Sequence, residues 1–533
     1  MLHLQDDDRC LANPLPPAGV DILLEGAKTR PTTEMEESIR TYSIFSSLLL
    51  FADLFIRITL SIRVIMRRRP YGVNLAWLVV VLVVPFLGGF FYLLFGENRI
   101  SERRTERAKL SHDLYLQWLI SLRKRAPVSW GAPLPECSSL HRQAESLAGL
   151  PAMAGNDLRL LTSPDAILSA ITEAIAQATS TCHLQFYIWE DGGRVAAVTK
   201  ALQEAAARGV TCRLLLDAVG SSAFLKSPRA EEMRRSGIEV LEALPAGLIK
   251  ALFWRIDIRN HRKIVVIDGE IAFTGSQNMV DPDVFKSDAG VGNWIDVMVK
   301  IRGPVVESLA GTFIADWLLE TETGRLHPEL LLEDIETILA GSDIKACPVA
   351  GDMAVQLVPS GPGFVSETIH SLLLTTIYTA RQELVLTTPY FIPDEPLLAA
   401  LKAAAQRGVV VKIIVPEKND SWLVRHASHA RYEELIESGV QIHLFSGGLL
   451  HAKSITVDGT VSLFGSANLD MRSFWLNFEA TLFIYNTPFT LQLLELQHDY
   501  LRQSTAVELE SFRQRGALVK FGENVALLIS PLL

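Results

Sequence analysis

Residues 261–278, HRKIVVIDGEIAFTGSQN, and residues 451–468, HAKSITVDGTVSLFGSAN, both read His-x-Lys-x4-Asp-x6-Gly-Ser-x-Asn. His261, Lys263, Asp268, Gly275, Ser276 and Asn278 recur as His451, Lys453, Asp458, Gly465, Ser466 and Asn468, each 190 positions later. Six fixed positions arise by chance on the order of once per hundred million starts at ordinary residue frequencies, so a duplicated half-site is the economical reading. Face to face, the two copies surround a phosphodiester with two imidazoles, two ammonium groups and two carboxamides. One imidazole can attack phosphorus while the other protonates the leaving oxygen and then deprotonates the incoming nucleophile. Ammonium and amide groups hold the charge on the phosphoryl oxygens. No metal-ligand spacing accompanies the motifs, so neither metal nor cofactor is expected.

On a strand, His and Lys at i and i+2 share a face. The Asp lies seven residues from the His, on the opposite face, and precedes Gly in both copies, the signature of a tight hairpin. Asp268 and Asp458 therefore complete the motif chiefly as supports, with backbone amides as expected partners. The Gly-Ser-x-Asn element places Ser276, Asn278, Ser466 and Asn468 where hydroxyl, amide and backbone N–H can surround an anion. A nucleophilic His needs an acceptor on its second nitrogen to fix the tautomer. Asn293-Trp294-Ile295-Asp296 and Asn477-Phe478-Glu479 supply a carboxylate in matched strands. Asp296 is accordingly assigned to His261 and Glu479 to His451, within each repeat, 35 and 28 residues downstream. Tyr187 and Tyr390 are placed at the cleft mouth or in the core. The isolated His183, His426, His429 and His498 are read as satisfied side chains.

The elements that carry these groups repeat as well. KALQEAAARGVTCRLLLD (200–217) matches AALKAAAQRGVVVKIIV (399–415), and EEMRRSGIEVL (231–241) matches EELIESGVQIHL (433–444). Each is a helix, a Gly-containing stop and an aliphatic strand. The expected fold class is α/β: two pseudo-repeated α/β sandwich domains, 136–330 and 331–533, with their boundary near 325–350. A chain of 533 residues accommodates both, preceded by a linker over 96–135.

Ahead of the repeats come a polar tail, 1–42, and two apolar stretches, 43–66 and 75–95, read as a transmembrane helical hairpin. Asp53 and Arg57, spaced i, i+4 in the first, can neutralise each other. Arg67, Arg68 and Arg69 flank one end, and Arg99, Arg103, Arg104, Arg107 and Lys109 the other, leaning toward a cytoplasmic catalytic region. The net charge of −10 counts against a general nucleic-acid partner. Cys10, Cys137, Cys182, Cys212 and Cys347 show neither a disulfide framework nor a zinc pattern. The C-terminal 512–533 mixes basic and apolar residues, fitting an amphipathic surface helix as well as simple packing.

With these residues in place, the chain resembles the phospholipase D superfamily, and more closely the bacterial cardiolipin synthases. NMVDPDVF (278–285), AGVGNWID (289–296), GLLHAKSITVDG (448–459) and NLDMRSFWLNFE (468–479) carry the closer likeness. The resemblance implies an inner-membrane enzyme acting on phosphatidylglycerol among anionic lipids. It implies a phosphatidyl-histidine intermediate, with His261 as nucleophile and His451 as acid and base. A hydrolytic phospholipase D, passing the same intermediate to water, and a non-catalytic membrane scaffold are the alternatives.

Overall fold

The computed structural model describes residues 33–67, 71–84, 86–96, 112–125, 127–129, 137–245, 255, 257–321, 344–362 and 367–529. They divide into two units, Met1–Gly89 and Phe90–Leu533. Most of the expected tail, much of the linker 96–135 and most of the boundary near 325–350 lie outside the described residues.

Near the N-terminus, α1 (Thr33–Met66) is followed by α2 (Tyr71–Val83) and α3 (Leu87–Phe95). The last residues of the expected tail thus belong to a helix. Among the described residues no helix is long and apolar enough to cross a membrane. The stretch read as one span, 75–95, is broken between Val83 and Leu87, where Phe86 takes φ +51° and the sequence has Pro85. Proline brings no N–H to the helical ladder, and its ring opposes the carbonyl four residues back. The two pieces reach only about 20 and 14 Å at 1.5 Å per residue, short of the ~30 Å of hydrocarbon. The longer α1 carries Glu37, Arg40, Asp53, Arg57 and Arg63, and its Asp53 and Arg57 pair at 2.7 Å.

In the second unit, the first repeat contributes β1 (Met153–Leu161), β2 (Thr181–Phe186), β3 (Thr211–Asp217), β4 (Glu239–Ala243), β5 (Ile264–Ile267), β6 (Ile271–Gly275), β7 (Trp294–Ile295) and β8 (Met298–Arg302). The second contributes β9 (Met353–Ser360), β10 (Glu383–Thr387), β11 (Val410–Pro416), β12 (Gln441–Phe445), β13 (Leu449–Leu450), β14 (Ser454–Val457), β15 (Val461–Gly465), β16 (Glu479–Tyr485) and β17 (Ser504–Ala506). Fifteen of these join in one sheet, ordered β17-β12-β11-β10-β14-β15-β16-β9-β1-β8-β6-β5-β2-β3-β4. Read outward from the central antiparallel β1–β9 pair, the two repeats have the same order. They therefore share a sheet instead of forming two separate ones, each repeat covering an edge that the other would leave open.

Helices α4 (Pro164–Ala176), α5 (Val195–Ala207), α6 (Val305–Glu320), α7 (Glu395–Gln406), α8 (Trp422–Glu437), α9 (Thr487–Arg502) and α10 (Ala517–Ile529) supply much of the cover. Ser163, Asp394, Ser421 and Asn486 start α4, α7, α8 and α9 by accepting a backbone N–H three residues on. On one face Leu309 and Phe313 of α6 and Phe489 and Leu493 of α9 join Val299, Val355 and Leu482 in a core that runs through both repeats. The opposite face has one core per repeat, around Ile171, Val198 and Leu214 and around Leu398, Leu401 and Ile413. Covered on both sides, β5 reads Ile-Val-Val-Ile without alternation.

Candidate active site

Each motif wraps a hairpin whose turn is Asp-Gly. Asp268 and Gly269 take φ +52° and +63°, and Asp458 and Gly459 take +50° and +64°, the paired positive angles of a primed turn. The Asp268 carboxylate accepts the N–H groups of Thr179, Ser180 and Thr181 at 2.7–2.9 Å. Asp458 accepts those of Arg381, Gln382 and Glu383 over the same range. At about 3.3 Å per residue, each Asp lies a hairpin's length from its His. Both are staples between the hairpin and the neighbouring strand, with backbone amides as their partners.

His261 and His451 precede β5 and β14, on lead-ins that cross to the other repeat. Asn260 bridges Phe478 in parallel, with His261 N donating to Phe478 O at 2.9 Å. In the same way β13 pairs in parallel with β7, and His451 N donates to Ile295 O at 2.8 Å. Phe478 and Ile295 immediately precede Glu479 and Asp296, so each lead-in delivers its histidine to the carboxylate of the opposite repeat. His261 Nδ1 lies 3.0 and 2.9 Å from the two oxygens of Glu479. His451 Nδ1 lies 2.7 Å from Asp296 Oδ1. The expected pairing within each repeat is thus exchanged, and the interleaved backbones are the physical reason.

Gly275 and Gly465 hold each carboxylate's strand close to the motif hairpin of its own repeat. A Cβ on Gly275 would stand 2.4 Å from Val297 O, and one on Gly465 2.2 Å from Ala480 O. Only glycine lets the strand following each carboxylate pass so close. The adjacent serines tie it down: Ser276 Oγ accepts Val297 N at 3.0 Å, and Ser466 Oγ accepts Ala480 N at 2.9 Å while donating to Glu479 at 2.6 Å. These hydroxyls support the carboxylate strands and do not serve the anion. Ser473 and Asn477, which sequence reasoning missed, also donate to Glu479, at 2.9 and 3.4 Å. Asn278 accepts Ile188 N through Oδ1, which turns its NH2 group away from that contact. Asn468 is buried with Oδ1 unpartnered among the described residues, in the wall of a small cavity that Lys453 also lines.

Lys263 and Lys453 are buried, each folded back onto the carbonyl of its own histidine, at 2.7 and 2.5 Å. Tyr187 stands against His261 and Trp294 against His451, ring centres 5.1 and 4.5 Å apart. Burial lowers both imidazoles to about 4, against the pull of Glu479 and Asp296. It lowers Lys263 to about 7 and Lys453 to about 8; the Lys453 charge depresses Lys263 further, while Asp296 and Glu479 pull both lysines upward. Burial would raise Asp296 and Glu479; His451 and Lys453 hold Asp296 at about 2, and His261 and Lys263 keep Glu479 below its usual range. At neutral pH each imidazole is therefore neutral, with Nδ1–H given to a carboxylate and Nε2 left as a base.

Arg262, the variable position of the first motif, also escaped sequence reasoning, because its counterpart is Ala452. It is fully buried, pairs with Asp316 at 2.6 Å and donates to Glu479 O and Ser360 O at 3.0 and 3.3 Å. Arg262→Met should cost about 3–5 kcal/mol by leaving Asp316 buried without its cation. Thermal unfolding of the purified variant should show a clear drop in midpoint; an unchanged midpoint would mean that the pair contributes little.

Comparison with known proteins places this geometry. A family model described as the cardiolipin synthase, phospholipase D-like domain matches residues 171–317 and 373–499. A phospholipase D-nuclease N-terminal model matches 56–97. A protein of Yersinia pseudotuberculosis serotype O:1b (strain IP 31758) named cardiolipin synthase A is 42% identical over 92% of this chain and 99% of its own. A Yersinia pestis protein of the same name matches to the same extent. The crystal structure of phosphatidylserine synthase from Haemophilus influenzae Rd KW20 has the same fold, with TM-score 0.55 and 16% identity over 74% of this chain and 100% of that one. Twice-matched by the family model and aligned with these relatives almost end to end, the chain belongs to the phospholipase D-like cardiolipin synthase family.

Proposed function

We propose that the chain is a phosphatidyltransferase that converts two phosphatidylglycerol molecules into cardiolipin and glycerol. The observation that carries this reading is the crossed pair of imidazoles, each fixed through Nδ1 and each keeping Nε2 for one phosphodiester. His261 Nε2 attacks phosphorus, forming an N–P bond as the P–O bond to glycerol breaks, and His451 gives its proton to the departing oxygen. In the second step the glycerol hydroxyl of another phosphatidylglycerol loses its proton to His451 and attacks phosphorus, and His261 leaves. The anionic phosphodiester favours the imidazolium that the first step requires. Lys263, Lys453 and the amides of Asn278 and Asn468 supply the charge stabilisation that dominates such transfers. The assignment of attack to His261 follows the family pattern.

The α1–α3 hairpin serves in this reading as a membrane anchor in the bacterial inner membrane, with the catalytic unit on the cytoplasmic side. In its support, α1 presents Phe45, Leu50, Phe51 and Phe55 outward, more apolar surface than a solvated helix tolerates. Purified full-length protein given labelled phosphatidylglycerol should yield one glycerol per cardiolipin; phosphatidic acid in place of cardiolipin would favour hydrolysis.

The same assay yields a pH prediction. Ammonium charge exists below the lysine pKa, so kcat/KM should fall as pH rises through about 7 to 8, where Lys263 and Lys453 lose their protons. It should fall again as pH drops through about 4, where the attacking nitrogen of His261 is protonated. Because kcat/KM reports the free enzyme, a profile flat from pH 6 to about 10 would contradict these environments.

A further inference from the structure

The C-terminal helix α10 is inside out. Its one buried carboxylate, Glu523, is 2% exposed and faces α8, where His429 meets it, while Arg515, just before α10, pairs with it from the same segment. Beside it Ala526 packs on Ala427 and Ile392. The outer face carries Leu518, Phe521, Val525 and Leu528, spaced i, i+3, i+7 and i+10, with Leu518 87%, Phe521 68% and Leu528 81% exposed. A soluble helix turns such a stripe toward its core. Trp422, at the start of α8, adds a further ring at 66% exposure. Lys418 and Arg425 flank it, exposed and without an ion pair among the described residues, in a chain whose net charge is −10.

The inner side of α10 leads to the second motif. Ile392, beneath the α8–α10 pair, donates its N–H to Leu469 O at 2.8 Å, and Leu469 follows Asn468 of the second motif. Two residues before Trp422, Asp420 accepts Tyr390 OH at 2.8 Å. An aromatic ring flanked by cations beside an apolar stripe has the composition of a membrane–water interface.

We infer that the outer face of α10, with Trp422, Lys418 and Arg425, docks the catalytic unit on an anionic phospholipid surface, so that a diacyl lipid reaches the second motif without leaving the bilayer. Local charge favours this occupant: Lys418 and Arg425, exposed and without an ion pair among the described residues, stand next to apolar side chains, the combination that an anionic bilayer surface attracts. The inference rests on the lipid-transfer reading.

The test uses full-length protein carrying Leu518→Ser, Phe521→Ser and Leu528→Ser together, all at exposed positions. Turnover of long-chain phosphatidylglycerol in reconstituted vesicles should fall about tenfold as apolar contact is lost. Turnover of dihexanoyl phosphatidylglycerol, dispersed as monomers, should remain within about twofold because the site itself is untouched. An apolar control, Leu518→Met with Phe521→Leu and Leu528→Met, should retain both activities. Brominated phosphatidylglycerol in the vesicles should quench part of the fluorescence, and Trp422→Phe should lose that part. Unchanged vesicle turnover in the triple serine variant overturns the proposal, and so does an equal fall on both substrates, which would make the face structural. A change in sedimenting mass assigns the face to a second copy and overturns it as well. The quenching arm needs no turnover, so absence of cardiolipin synthesis by the unaltered protein sinks the functional reading and leaves the docking face separately decided.

Discussion

His261→Ala and His451→Ala should each lower cardiolipin synthesis by about 10⁴-fold or more, since groups acting as one unit cannot be removed singly at small cost. Both side chains sit in lead-ins held by backbone hydrogen bonds, His261 N to Phe478 O and His451 N to Ile295 O, which alanine preserves. The fold should therefore survive, as circular dichroism and thermal unfolding would show. The two losses differ in kind. Without His261 no N–P bond forms, whatever the leaving group. Without His451 the first step fails because glycerol must depart as an alkoxide, and a phosphatidyl ester of p-nitrophenol removes that need. His451→Ala should then release nitrophenolate in a single burst, and His261→Ala should release none. Equal behaviour of the two variants on this ester would refute the division of roles.

Glu479→Gln should lower kcat/KM by about 10²–10⁴-fold, the range for losing the group that sets an imidazole's tautomer. Glu479 takes hydrogen bonds from His261, Ser466, Ser473 and Asn477. A carboxamide has one acceptor oxygen where the carboxylate has two, so at least one of these donors must face an NH2 group. Asp296→Asn should act in the same direction, yet the two variants should touch different histidines. The downfield Nδ1–H resonance of His261 should be lost in Glu479→Gln and persist in Asp296→Asn, with the reverse for His451. Loss of the His451 signal in Glu479→Gln would mean that the carboxylates serve their own repeats.

That crossing marks the limit of what could be read from the chain. The motif residues announce themselves because the sequence carries them twice at constant offset, and the Asp-Gly turns follow from local chemistry. Asp296 and Glu479 are recognisable as carboxylates in matched strands. Which histidine each serves depends on β7 pairing with β13 and on Phe478 meeting Asn260, contacts between segments more than 150 residues apart with no local signal. The β1–β9 pair that fuses the repeats into one sheet is equally non-local. Arg262 is invisible for another reason: the repeat has Ala452 there, and an ion pair with Asp316 satisfies one half only. The break at Val83–Leu87 was legible in principle, since Pro85 is a strong helix breaker, but uniform apolarity over 75–95 masked it.

The shared phosphate is the claim on which the rest depends, and a structure of the full-length protein with orthovanadate tests it most directly. The account predicts one vanadate within bonding distance of His261 Nε2 and within hydrogen-bonding distance of His451 Nε2, or the reverse. Vanadate held by one imidazole alone, with the other turned to a separate pocket, would contradict it.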